Sequence, residues 1–276
     1  MGFNRRQLLN KAALVAMVAS CGPGLARAET SQADIWADLA KDVFKGRSLE
    51  DGTGVLALDA PYRAEDAALV PVTIAIALPS GDPRQAVRLW LIVDENPAPV
   101  VGLFEIGAKS GLTSLSTRIR VNSYSNVHAV AELSDGKLYA VVKFVKAAGG
   151  CAAPATKRLD EAEANLGQMR FRALPAPANT STRTADALLM IRHPNNSGLQ
   201  MDQVTHLYTP ARFVEELKIW QGDDLIVAME GGISISEDPN FRFTYLPNGA
   251  PEIRARAVDT NGKVFEAAWP AGKAGI

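Results

Sequence analysis

The residue with the most distinctive chemistry is Cys151, in the segment Lys146-Ala147-Ala148-Gly149-Gly150-Cys151-Ala152-Ala153-Pro154-Ala155. A cysteine in its thiolate form is a nucleophile that makes and breaks bonds to sulfur reversibly. Two glycines before the sulfur free the backbone, and small alanines and a proline follow it. This predicts an accessible thiol on a flexible arm made by Gly149, Gly150 and Ala152. A structural cysteine sits more often inside an apolar periodic run. Lys143, Lys146, Lys157 and Arg158 are near in sequence and would favour the thiolate if they were near in space.

The other reactive residue types suggest less. The chain has three histidines, His128, His193 and His206, and a second cysteine, Cys21. No Asp/His spacing builds a triad, and the Cys and His set does not make a zinc site. His193 precedes Pro194 in a turn-like segment and reads as structural. Gly231-Gly232 lacks the flanks of a phosphate loop. Trp36, Trp90, Trp220 and Trp269 lie in periodic segments and read as packing. No catalytic residue, metal or cofactor is assigned.

Composition narrows the classes. The chain has 276 residues, 47% hydrophobic and 21% charged, with 29 basic and 30 acidic side chains. It is an ordinary globular composition, with no basic excess or motif for nucleic acid.

The first 28 residues read as an address. Arg5-Arg6, an apolar run from Ala12 to Ala19, and the small-x-small site Ala26-Arg27-Ala28 form a twin-arginine-type export signal. A competing reading takes Val18-Ala19-Ser20-Cys21 as a lipobox, with Cys21 lipidated; we favour cleavage after Ala28. That cleavage removes Arg5, Arg6, Lys11 and Arg27 and no acid, so the formal charge falls from -1 to -5. It also leaves Cys151 as the one cysteine in a chain bound for the periplasm. Exported proteins use cysteines mostly in pairs, so an odd one suggests a reactive or intermolecular thiol. No later segment is long and apolar enough to span a bilayer.

The positioning elements are mostly strands. Residues 32–45 form an amphipathic helix with Ile35, Trp36, Leu39, Val43 and Phe44 on one face, stopped at Gly46. Alternating runs over 70–78, 87–93, 100–106, 115–122, 128–133 and 138–145 predict a first β-sandwich ending in the cysteine arm. In the run 115–122, Thr117, Ile119 and Val121 share one face, with Arg118 and Arg120 on the other. Lys157–Arg172 reads as helical, and 173–186 is rich in Pro, Ala, Ser and Thr, so 156–186 is taken as a helical and Pro-rich linker. Runs over 188–191, 213–220, 224–229, 242–246, 252–258 and 264–268 predict a second sandwich in 187–276.

Several segments together resemble a known family. Asp59-Ala60-Pro61, then Val70-Pro71-Val72-Thr73-Ile74, then Gly149-Gly150-Cys151, resemble SoxY. Ile191-Arg192-His193-Pro194-Asn195-Asn196-Ser197-Gly198, with Phe213–Leu217 and Asp259–Lys263, resembles SoxZ. The order resembles fused SoxYZ-like carriers associated with quinoprotein alcohol dehydrogenases. The resemblance implies two immunoglobulin-like β-sandwiches and a periplasmic carrier, not an enzyme. Its Cys151 would covalently hold a sulfur-containing intermediate and present it to sulfur-oxidation or quinoprotein dehydrogenase enzymes. In the two-subunit carrier the cysteine lies almost at the chain end; here a second domain follows it. The alternative function is a non-covalent binding or assembly module of an exported quinoprotein dehydrogenase system. A thiol-dependent enzyme lacks an identifiable general base.

Overall fold

The computed structural model describes residues 32–79, 81–154, 163–174, 184–202 and 205–271. The expected export signal 1–28, Cys21 and most of the expected helix and Pro-rich stretch of 156–186 lie outside these residues.

The chain opens with helix α1 (Gln32–Phe44). It ends where Gly46 takes a left-handed φ of 75° and donates its N–H to Lys41 O at 3.1 Å, a turn that glycine enters at little steric cost. The predicted apolar face is the face that packs. Trp36, Leu39, Val43 and Phe44 meet Trp90, Ile92, Val130 and Leu138 on the sheet below. Ile35, also expected on this face, is half-buried.

Strands β1 (Leu49–Asp51), β2 (Leu56–Asp59), β3 (Val70–Ile76), β4 (Ala86–Val93), β5 (Val100–Ile106), β6 (Ser114–Ile119), β7 (Ser125–Leu133) and β8 (Leu138–Val145) form the N-terminal half. Strands β9 (Met169–Leu174), β10 (Ala185–Ile191), β11 (Val214–Gln221), β12 (Asp224–Gly231), β13 (Asn240–Tyr245), β14 (Glu252–Asp259) and β15 (Val264–Pro270) form the C-terminal half. The expected strands are all present, with ends displaced by a few residues.

The two halves share both sheets. The larger sheet runs β1-β8-β7-β4-β5-β12-β11-β14-β15, and the smaller runs β2-β3-β6-β13-β10-β9. The halves meet edge to edge at β5–β12, from Ile106 opposite Val227 to Gly102 opposite Gly231. In the smaller sheet they meet at β6–β13, where Ser116 faces Arg242 and Leu115 faces Phe243. Pairing edges in this way covers strand edges that would otherwise expose unmatched N–H and C=O groups. One continuous core lies between the layers. It takes in Val72, Ile74 and Leu89 from the first half and Leu189, Phe241 and Ala255 from the second.

The span expected to be helix and linker needs one correction. Residues 169–174 form β9, the outer strand of the smaller sheet, paired with β10 from Met169 opposite Ile191 to Leu174 opposite Asp186. Phe171 is buried and stacks on Trp269 at 5.6 Å, while Arg170 and Arg172 face out. Polar neighbours hid a period-two pattern that a packing partner on β15 makes decisive.

Candidate functional site

After β8 the chain continues alongside the segment that follows β6. Lys146 N–H donates to Tyr62 O at 2.8 Å, Gly149 N–H to Asn122 O at 2.8 Å, and Gly150 N–H to Val121 O at 3.0 Å. Ala152 N–H returns to Gly149 O at 3.2 Å, closing a turn around Cys151. The two glycines are needed for shape. Gly149 has φ 79°, a conformation costly for a residue with a side chain. A Cβ on Gly150 would lie 2.0 Å from Ala67 O and 2.7 Å from Val121 O. The expected flexible arm is thus a hydrogen-bonded turn, because the backbone groups of Gly149 and Gly150 find acceptors on a neighbouring segment.

The thiol lies on the other side of that turn from solvent. Gly149 and Ala152 are exposed, whereas Cys151 is 0% exposed. This overturns the expectation of an accessible sulfur. The flanking small residues leave no bulk of their own to bury a thiol, and the C-terminal half contacts the turn at its backbone. Ser197 Oγ donates to the carbonyl oxygen of Cys151, and Ser197 is itself held by its N–H to Gln200 Oε1 at 2.9 Å.

Arg120 is the residue that sequence reasoning missed. The alternation placed it on the face opposite Ile119 and Val121 and gave it no role, yet it is 1% exposed. Strand β6 ends at Ile119, and alternation stops there. Arg120 N–H donates to Ser234 O at 2.7 Å, and Asn96 Nδ2 donates to Arg120 O at 2.7 Å and Ser234 Oγ at 2.9 Å. With its backbone held, the side chain reaches inward. Nη1 donates to Gly150 O at 3.2 Å and Nη2 to Asn195 O at 3.3 Å. One guanidinium therefore joins the cysteine turn to the C-terminal half. Among the described residues its Nε–H has no acceptor.

Two opposing effects set the charge of the thiol. Burial pushes the Cys151 pKa up from 9.0 to about 11, and the Arg120 guanidinium pulls it down by less. In this closed arrangement the sulfur is a protonated thiol at neutral pH. Burial also lowers the pKa of Arg120, against Cys151, Glu237 and Asp66, which raise it. Among the described residues the cation acting on the sulfur is Arg120. Lys146 lies over the Tyr62 ring at 4.9 Å, and Lys157 and Arg158 lie outside the described residues.

The histidines hold structure around this turn. His193 Nδ1 lies 2.7 Å from Asn195 Oδ1, and its Nε2 lies 3.5 Å from Asp259 Oδ2. Arg212 Nε donates to the same carboxylate at 2.9 Å. Burial lowers the His193 pKa, outweighing Asp259 and Asn195. The network fixes the loop that supplies Asn195 O and Ser197 Oγ to the cysteine turn. His128 Nε2 lies 3.1 Å from Asp94 Oδ2 and its ring stacks on Trp36 at 3.6 Å, tying α1 to the sheet. His206 lies in a loop at φ 55°. Among the described residues no hydrogen bond joins a histidine to the thiol, and no group of three or more His, Cys, Asp or Glu residues is placed to hold a metal ion. No helix among them is long and apolar enough to cross a membrane.

Comparison with known proteins follows this geometry. Residues 40–151 match the family described as Sulfur oxidation protein SoxY, so the match ends at Cys151. Residues 173–270 match Sulphur oxidation protein SoxZ, beginning within β9. No curated protein matches the chain. Among solved structures, the sulfur carrier protein SoxY from Chlorobium limicola f thiosulfatophilum is 28% identical over 42% of this chain and 94% of its own, with a TM-score of 0.34. Two variants of a superoxide reductase (neelaredoxin) from Ignicoccus hospitalis are 11% and 12% identical. They cover 34% and 40% of this chain and 82% and 90% of their own, each with a TM-score of 0.30. With SoxY and then SoxZ matched in order across most of a single chain, this protein belongs to the SoxYZ family as a fused, SoxYZ-like member.

Proposed function

We propose that this chain is a periplasmic carrier. Its Cys151 covalently holds a sulfur-containing intermediate and presents it to partner enzymes of sulfur oxidation or of an exported quinoprotein dehydrogenase system. The observation that carries this reading is the position of Cys151: the SoxY match ends on it, on a surface turn whose Gly149 and Ala152 are exposed.

The burial of the sulfur adds a requirement. Transfer needs the thiol outside, so the carrier cycles between the closed turn and an opened one. The contacts that must break are few: two N–H donations from Gly149 and Gly150, the Arg120 donation to Gly150 O, and the Ser197 donation to Cys151 O. At roughly 0.5–1.5 kcal/mol net for each, opening is a local event well short of unfolding. The closed form shields a thiol, or its cargo, from chance oxidants between encounters.

The same burial favours a second reading. A protonated, covered thiol suits a non-covalent binding or assembly module in which Cys151 only packs. Intact mass of protein from the periplasm, before and after reductant, separates the two. The carrier reading expects an added mass on Cys151 that reductant removes, and loss of transfer in Cys151→Ser with the fold retained. A bare thiol in every preparation, with partner binding unaffected by Cys151→Ser, establishes the assembly module instead.

A further inference from the structure

The geometry points to a second binding site, an arginine-lined groove on the outer face of the smaller sheet that takes a small organic anion with two acidic groups on an apolar body. Neither Cys151 nor any residue that hydrogen-bonds its turn lines this groove, so the site goes beyond the carrier reading.

The groove crosses strands β9, β10, β13 and β6 and encloses about 360 Å³, a volume in the range of small-molecule sites. Arg118, Arg170, Arg172 and Arg192 line it. Among the described residues Asp238 is the one carboxylate in the lining. Four guanidinium groups against one carboxylate leave three positive charges in excess, on a chain whose formal net charge is -1.

Strand pairing brings these side chains together. Arg170 and Arg172 are two residues apart on β9, so both leave the same face of the strand about 7 Å apart, while Phe171 between them is buried on the other face. Arg170 pairs with Met190 on β10, and Met190 pairs with Asn240 on β13. Asn240 meets Arg118 of β6. With its amide oxygen toward the guanidinium, it accepts from Nε at 2.8 Å and from Nη2 at 2.9 Å. Met190 therefore forms an apolar floor with an arginine on either side. Arg192, two residues further on, closes one end and donates to the Asp238 carboxylate.

Two of the four arginines are fixed and two are available to close on a ligand. Arg118 is held by Asn240 and by Asp238 O at 3.2 Å, and Arg192 by the Asp238 carboxylate. Arg170 and Arg172 are exposed, and among the described residues their side chains make no ion pair. Like charges gathered on one sheet face repel, and a bound anion relieves that repulsion. All four cations are arginines, whose planar forks hold carboxylate, sulfonate or phosphate oxygens two at a time. The Met190 thioether packs well on an aliphatic or aromatic body. A bare inorganic anion leaves that floor unused, so the groove favours an organic one.

Isophthalate, a benzene ring bearing two carboxylates, is the probe. Titration calorimetry on the full chain at low salt should show saturable binding with a Kd of about 1 mM or tighter. Inorganic sulfate has the charge without the ring, and benzamide has the ring without the charge. Each should bind at least about tenfold more weakly, the scale of one charge-assisted hydrogen bond. The double variant Arg170→Gln with Arg172→Gln alters two exposed side chains and leaves Phe171 packed. It should keep the wild-type melting temperature and lose about tenfold in affinity for isophthalate. No saturable isophthalate binding at about 10 mM overturns the proposal, and so does an affinity unchanged in the folded double variant. Sulfate bound as tightly as isophthalate overturns it by removing any part for the apolar floor. Binding of a hexaglutamate peptide without binding of isophthalate overturns it in favour of an acidic protein segment. The three-probe comparison on the native chain decides the matter even where the double variant fails to fold. No readout involves Cys151, so the result is independent of whether the protein carries cargo.

Discussion

Ser197 Oγ donates a hydrogen bond to the backbone carbonyl of Cys151, 46 residues away in the chain. The bond crosses between the two halves, from a loop of the SoxZ-matched part to the last residue of the SoxY-matched part. In a two-chain carrier the corresponding halves must associate. Here fusion makes their meeting intramolecular, and the C-terminal half holds the backbone of the cysteine turn.

If that bond latches the turn, Ser197→Ala loosens it. We expect Cys151 in the variant to react with iodoacetamide about three- to tenfold faster under native conditions, the scale of one net hydrogen bond. The rate in denaturant should not change. Equal native rates in the two proteins show that the hydroxyl does not control access.

The glycine at 150 makes a sharper prediction. A Cβ there meets Ala67 O at 2.0 Å, and a backbone oxygen cannot swing aside. Gly150→Ala should therefore displace the turn, at a cost of about 1–3 kcal/mol, and raise thiol reactivity together with it. Gly149→Ala has open space around its Cβ but keeps a φ of 79°, so its cost is strain alone, about 1 kcal/mol. Denaturant midpoints and alkylation rates, measured side by side, check the ranking.

The raised thiol pKa ties stability to alkaline pH. The unfolded thiol ionises near 9.0 while the folded one holds its proton to about 11. The unfolded state thus binds fewer protons between those values. The stability from the neutral buried thiol is complete below pH 9 and is lost as pH rises toward 11. Wild type should lose on the order of 1–2 kcal/mol more than Cys151→Ala across pH 8.5–10.5. Parallel pH profiles in urea unfolding would show that the thiol titrates alike in both states.

The shared sheets predict a single unfolding transition. The strand pairs β5–β12 and β6–β13 cross between the halves, and one core lies beneath both. Calorimetry should give one peak with calorimetric and van't Hoff enthalpies equal. Two resolved transitions would show that the seam is weaker than either half.

Much of the fold was legible because its signals are local. Val70, Val72 and Ile74 alternate with residues facing outward and bury one face of β3. Ser134-Asp135-Gly136-Lys137 turns between β7 and β8, with Gly136 at φ 80°. β1 and β2 were missed because three or four residues carry too little pattern to read. β9 was missed because Phe171 becomes a core residue only against Trp269, which lies about a hundred residues on.

By itself the sequence determined twelve of the strands, the amphipathic helix, the isolated Cys151 and the ordered segments that resemble SoxY and SoxZ. Those follow from residue type and short-range periodicity. Only the tertiary structure decided that both halves share their sheets, that Cys151 is buried with its pKa pushed up, and that Arg120 lies against its turn. Burial and charge at one atom depend on what packs there from distant parts of the chain. Ser197, Asn195 and Ser234 come from far along the sequence, and no local pattern around Gly149-Gly150-Cys151 records their arrival.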